Sequence, residues 1–162
     1  MFIMGLDPGT AITGYGLIKY DGSRFSMIDC GCIRTSPESP LSERLQIIYR
    51  ELTDVIRQYK PEQFAIEELF FNKNARTALA VGHARGVAML AASSAGLPVF
   101  EYTPLQVKQA VTGFGRAAKT QVQFMVKTIL ALPEAPEPDD VADALAVAIC
   151  HGQIYSWVRK MK

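Results

Sequence analysis

Cysteine, histidine and tryptophan are scarce in this chain, and it has no surplus of charge of either sign. Its 162 residues include three cysteines, two histidines and one tryptophan, and the formal net charge is +1. Three cysteines cannot all pair, and Cys30 and Cys32 lie one residue apart on an expected strand, so free thiols are expected rather than a disulfide framework. Zinc is disfavoured by the same shortage, because no second cysteine pair exists and only His83 and His151 could help. No run of about 18 uninterrupted apolar residues occurs, and the opening apolar stretch stops at Asp7 without a basic flank. Neither a membrane span nor a secretory leader is expected, which points to a cytoplasmic protein. A near-neutral total also means that any nucleic-acid contact must come from local charge.

What is present suits one soluble domain, with 49% hydrophobic and 20% charged residues. The expected division is a single domain over residues 1–155 and a short basic tail over 156–162. Phe2 to Leu6 reads as a buried strand stopped by Asp7-Pro8-Gly9-Thr10, since proline lacks an N–H and glycine permits positive φ. Gly14–Tyr20 and Phe25–Arg34, joined by an Asp-Gly turn, read as an antiparallel hairpin. Leu41, Leu45, Ile48, Leu52 and Ile56 recur at helical spacing and end before Pro61. Short strands follow at Phe64–Glu68 and Leu97–Tyr102, separated by a long Ala- and Gly-containing segment. Thr103-Pro104 opens a helix by N-cap and first-turn proline. A flexible loop is expected at Gly113–Arg116, a helix at Thr120–Leu130, and a proline-rich loop before a last buried helix. The fold class is α/β, a mixed sheet flanked by helices.

Acids recur where such a fold could gather them. Asp7 ends the first strand, Glu67 and Glu68 end the strand after the first helix, and Asp139, Asp140 and Asp143 open the last helix. A right-handed crossover would place the Glu67 strand beside the first, parallel to it, with both carboxylates at one sheet end. Period-two alternation lets only one of Glu67 and Glu68 join Asp7, and spacing does not choose between them. Asp140 and Asp143 share a helix face. Asp139 reads as an N-cap after Pro138. No flanking Arg or Lys offers to neutralise the cluster, so a divalent cation held by oxygen ligands is expected.

The segments GLDPGTAITGYG, GCIRT, FAIEELFFNKNARTALAVGHARGVAMLAA, FEYTPLQVKQAVTGFGRAAKTQVQFMV and DDVADALAVAI together closely resemble the RuvC family of crossover junction endodeoxyribonucleases, which resolve Holliday junctions. The resemblance runs from residue 2 to about 150. It implies a ribonuclease H-like sheet, a homodimer, and paired, Mg2+-dependent nicks in a four-way DNA junction during recombination and repair. Two Mg2+ ions per site are implied, with Mn2+ able to substitute. The family's acids fall on Asp7, Glu67, Asp140 and Asp143. Its DNA-contacting positions point to Phe70 near the junction centre and to Lys108 and Lys119 at phosphates, and the neighbouring Lys73 and Arg76 add cations. The segment from Ala78 to Ala95 matches the family's dimer interface; His83 there reads as a packing or interface residue, and His151 as a helix-end residue. RuvA and RuvB are implied partners.

Two other readings stand beside this one. The first is a junction-binding scaffold without catalysis, which the complete acid set argues against. The second is a single lobe of the actin, heat-shock ATPase and sugar-kinase superfamily, whose phosphate loop also opens Gly-x-Asp-x-Gly-Thr. That arrangement needs two lobes and leaves the acidic last helix without a purpose.

Overall fold

In the computed structural model, which describes residues 1–69 and 75–160, ten elements follow one another along the chain. Strands β1 (Phe2–Asp7), β2 (Ile12–Tyr20) and β3 (Phe25–Arg34) form the antiparallel meander. Helix α1 (Leu41–Tyr59), strand β4 (Gln63–Glu67), helix α2 (Ala75–Ser94) and strand β5 (Val99–Tyr102) follow. Helices α3 (Pro104–Thr112), α4 (Lys119–Ile129) and α5 (Asp139–Lys160) complete the chain. The sheet order is β3-β2-β1-β4-β5, with β4 parallel to β1 and β5 parallel to β4. This is the expected mixed sheet. The last helix runs on to Lys160, so no break in the backbone marks the tail expected from residue 156.

Strand alternation sorts the core into two layers. Ile3, Ile18 and Ala65 face a cluster completed by α3, α4 and α5, whereas Met4, Leu6, Phe64 and Ile66 face α1 and α2. Helix α1 buries Ile48, Leu52 and Ile56 and closes on Lys60 in the left-handed conformation. Helix α3 starts on the expected cap: Thr103 Oγ1 accepts from the Gln106 N–H at 3.1 Å and Gln106 Oε1 from the Thr103 N–H at 2.8 Å.

Helix α5 differs from the others in being buried almost all round, from Val141 to Gly152 with Asp143 only partly covered. It can lie so close to the sheet because the facing positions have no side chains. A Cβ at Gly14 would collide with the Asp140 carbonyl, one at Gly5 with the Ala144 carbonyl, and one at Gly16 with the Leu145 side chain. The three cysteines are unpaired, as expected. Among the described residues, no helix is long and apolar enough to cross a membrane.

His151 is not at a helix end. It lies within α5, fully buried, with Nδ1 accepting from the Tyr102 hydroxyl at 2.6 Å and Nε2 donating to Gln63 Oε1 at 2.7 Å. Burial pushes its pKa down to about 4, so it is a neutral structural link between β4, β5 and α5.

Candidate active site

The register of the sheet decides where the acids meet. Leu6 lies opposite Ile66, so Asp7 and Glu67, each the last residue of its strand, emerge side by side at one sheet end. Asp7 pairs across β2 with Gly14, and it is at Gly14 that the missing side chain admits the backbone of Asp140. The first turn of α5 is thereby seated over Asp7, and Asp140 and Asp143 come with it.

Asp7 is more than a turn residue. The turn after it is closed by Thr13, whose buried hydroxyl donates to the Gly9 carbonyl at 2.6 Å, while the Thr35 N–H donates to the Ala11 carbonyl at 3.0 Å. Among the described residues, the Asp7 carboxylate takes no part in a hydrogen bond or ion pair. Burial, then the charges of Asp143, Asp140 and Glu67, push its pKa up to about 7. Burial and Asp143 push Glu67 up to about 7 as well, with Lys108 opposing. Glu68 contributes to neither shift, so of the two glutamates it is Glu67 that shares the field of Asp7. Burial also raises Asp143, against the pull of Lys119.

Lys119 corrects the expectation that no cation is at hand. Its ammonium lies 2.9 Å from Asp143 and 3.3 Å from Asp139. Burial works against that charge, but hydrogen bonding and attraction from Asp143 and Asp139 outweigh it and hold the Lys119 pKa above its ordinary value. Asp139 is likewise not an N-cap. It is the first residue of α5, and its second oxygen accepts from Gln123 Nε2 at 2.7 Å, tying α5 to α4. A cleft of about 290 Å³ is lined by Glu67, Lys108, Lys119 and Asp143 over an apolar floor that includes Val107 and Val122. A larger cavity of about 600 Å³ between α1 and the end of α2 contains no carboxylate.

Arg85 was not singled out from sequence. Its Nε donates to the backbone carbonyl of Glu67 at 3.0 Å while its guanidinium pairs with Glu101, so α2 and β5 together fix the residue that carries the Glu67 carboxylate. The available signal was an arginine that is the only Asp, Glu, Lys or Arg between Thr77 and Ser94. Phe70 and Lys73 lie outside the described residues, as does the side chain of Arg76.

The donor set suits a hard divalent cation: it is all oxygen, partly buried and self-repelling, with a lysine ammonium already drawn to its edge. Among the described residues, however, no three His, Cys, Asp or Glu side chains converge as they stand into a group able to hold a metal ion.

The family model for "Crossover junction endodeoxyribonuclease RuvC" matches residues 3–151. The chain belongs to the RuvC family. A curated member from Pelotomaculum thermopropionicum is 70% identical over 162 residues, covering 100% of this chain and 99% of that protein. Another, from Desulforamulus reducens, is 65% identical over 94% of both chains. Among solved structures, Thermus thermophilus RuvC in complex with a Holliday junction substrate superposes with a TM-score of 0.93 at 40% identity, covering 98% of this chain and 96% of that one. The yeast mitochondrial Holliday junction resolvase matches at 12% identity with a TM-score of 0.64, which speaks for the fold alone. The fold is thus ribonuclease H-like, and the RuvC family's crossover junction endodeoxyribonuclease activity is that of a phosphodiester hydrolase that depends on metal.

Proposed function

We propose that this chain resolves four-way DNA junctions by hydrolysing two strands, and that Asp7, Glu67, Asp140 and Asp143 form the catalytic centre. The observation that carries the reading is that β1, β4 and α5 bring their acids to one sheet end, where burial first and the neighbouring carboxylates second push Asp7 and Glu67 up to about 7. A fold gains nothing from such repulsion unless positive charge arrives. Two Mg2+ ions, or Mn2+ in their place, would be held by these four residues and would supply water activation and stabilisation of the leaving 3′ oxygen.

The chain's own part is to position and to balance charge. Lys119, which pairs with Asp143 and Asp139, balances the charge of the acids and lies where a substrate phosphate would be attracted. Lys108, whose charge already acts on Glu67, attracts the same backbone. Arg85 keeps Glu67 aligned by its main chain. Phe70, which follows soon after Glu67 in the sequence, contacts the junction near its centre, and Lys73 and Arg76 add cations for the DNA beside the acids.

Two symmetric cuts call for two sites, and we place the homodimer contact on α2. Leu79, His83, Gly86 and Leu90 recur at helical spacing and all are exposed, whereas Ala84, Ala88, Ala91 and Ala92 on the other face are buried. The dimer acts in the cytoplasm alongside RuvA and RuvB.

A synthetic four-way junction incubated with the protein, with and without Mg2+, tests the reading. Symmetric nicks that require the metal and disappear in Asp7→Asn are expected. Metal-independent cutting, or cutting by Asp7→Asn, would overturn the assignment.

A further inference from the structure

From Tyr102 to Pro133 the chain contains no Asp or Glu but four cations, Lys108, Arg116, Lys119 and Lys127. Elsewhere acids outnumber bases by 16 to 13, so this acid-free stretch, which builds α3, α4 and the turn between them, is where local charge favours a polyanion. Within it lies a groove of about 340 Å³ lined by Thr112, Phe114, Ala117, Thr120, Phe124 and Met125. Phe114 and Phe124 are 59% and 64% exposed, the second above every other large apolar side chain described.

The loop that presents Phe114 is pinned, contrary to the expectation of flexibility. The Phe114 N–H donates to Thr112 Oγ1 at 3.1 Å, and the single proton of the Thr112 hydroxyl is shared between the Lys108 carbonyl at 2.8 Å and the Phe114 carbonyl at 3.0 Å. Gln109 Nε2 donates to the Gly113 carbonyl at 2.7 Å, and the Ala117 N–H returns to the Phe114 carbonyl at 3.0 Å. An exposed ring on a restrained backbone is prepared for a contact, because little ordering is left to oppose it. The groove and the active-site cleft share helix α4: Lys119 and Val122 line the cleft, while Thr120 and Phe124 line the groove.

We infer that this groove is a second DNA subsite, in which Phe114 and Phe124 stack against an unpaired nucleobase close to the scissile phosphate. Every base offers a face to an aromatic ring, so the contact grips single-stranded character rather than sequence. The subsite rests on the nuclease reading for its substrate, and it selects junctions whose strands can unstack beside the cut.

The test uses full-length protein in EDTA and four-way junctions carrying 2-aminopurine at successive positions around the cleavage site. Binding should change the fluorescence at one or two adjacent positions. Phe114→Ala and Phe124→Ala should abolish that change and weaken junction binding by roughly tenfold, with melting temperatures unchanged because both rings are exposed, while Phe114→Trp should retain the signal. Normal junction affinity with no fluorescence response at any position, or a response that survives both alanine variants, overturns the subsite. Loss of self-association in the variants with junction affinity intact would overturn it too, by making the groove a protein contact. Failure of the unsubstituted protein to bind any junction would instead sink the function on which the subsite rests.

Discussion

Helices α2 and α5 have nearly the same length and are both built largely of small and apolar residues, yet the fold uses them in opposite ways. Helix α5 is enclosed almost all round from Val141 to Gly152 by the sheet, α3 and α4, and its first two turns carry Asp140 and Asp143. Helix α2 packs one face on α1 and the sheet and leaves Leu79 and Leu90 outside. The difference lies in the glycines. Those that serve α5 are on the sheet, at Gly5, Gly14 and Gly16, and let a complete helix approach. Those of α2 are on the helix, and nothing lies within 4 Å of a Cβ built at Gly86. A carboxylate in the enclosed helix is expensive and signals chemistry. An open apolar stripe costs little and suits a partner.

The largest effect should come from the acids that the enclosed helix completes. Asp7→Asn and Asp143→Asn are expected to lower junction cleavage by at least about a thousandfold while leaving junction binding in place. Single-turnover cleavage and gel-shift assays on the same preparations separate the two. A loss of binding equal to the loss of cutting would mean that the acids shape the fold instead of the reaction.

Close behind is the seat of α5. Gly14→Ala places a methyl group against the Asp140 carbonyl, a backbone atom that cannot swing aside, so either β2 or the first turn of α5 must move. A destabilisation of about 3 kcal/mol is expected in denaturant unfolding. Cleavage should fall further than stability explains, because the same movement draws Asp140 and Asp143 away from Asp7.

These two expectations show what the sequence made legible. The strand ends, the helix starting at Thr103 and the acids themselves follow from turn chemistry, capping and periodicity, which are local. The choice of Glu67 over Glu68 needed the β1–β4 register, which alternation leaves open. Lys119 was invisible as a partner of Asp143 because 24 residues separate them and no local rule pairs α4 with α5. Asp139 fitted a cap by its position after Pro138 and instead binds Gln123 and Lys119. The glycines of β2 could have been read as a docking surface, since Gly14 and Gly16 share one face of the strand opposite an alanine-rich helix.

Burial of the acids, reinforced by their mutual repulsion, gives a smaller effect with a definite sign. Asp7 and Glu67 hold protons in the folded state up to about pH 7, whereas in the unfolded chain they release them near their ordinary values of 3.8 and 4.5. The folded state thus binds more protons between pH 4 and pH 7. The stability they confer is complete below about pH 4 and is lost as the pH rises to about 7. Solvent in the cleft moderates the change, to roughly 2 kcal/mol overall. Thermal melts in EDTA across this window should show it, and Asp7→Asn should flatten the profile. Adding Mg2+ at pH 8 should raise the melting temperature more than at pH 5, where protons compete for the same oxygens.

The smallest effect should distinguish the two helices most cleanly. Gly86 sits mid-helix with open space around it, so Gly86→Ala removes backbone entropy from the unfolded chain and meets no obstacle in the fold. It should stabilise each protomer by about 0.5–1 kcal/mol in denaturant titrations. If α2 is the face on which two copies meet, the added methyl also holds their backbones apart, and sedimentation should show the dimer dissociating at a higher protein concentration. The same glycine-to-alanine change would then stabilise the fold and weaken the assembly, whereas at Gly14 it harms the fold directly. A variant that gained stability and kept its self-association unchanged would move the two-fold axis elsewhere on the surface.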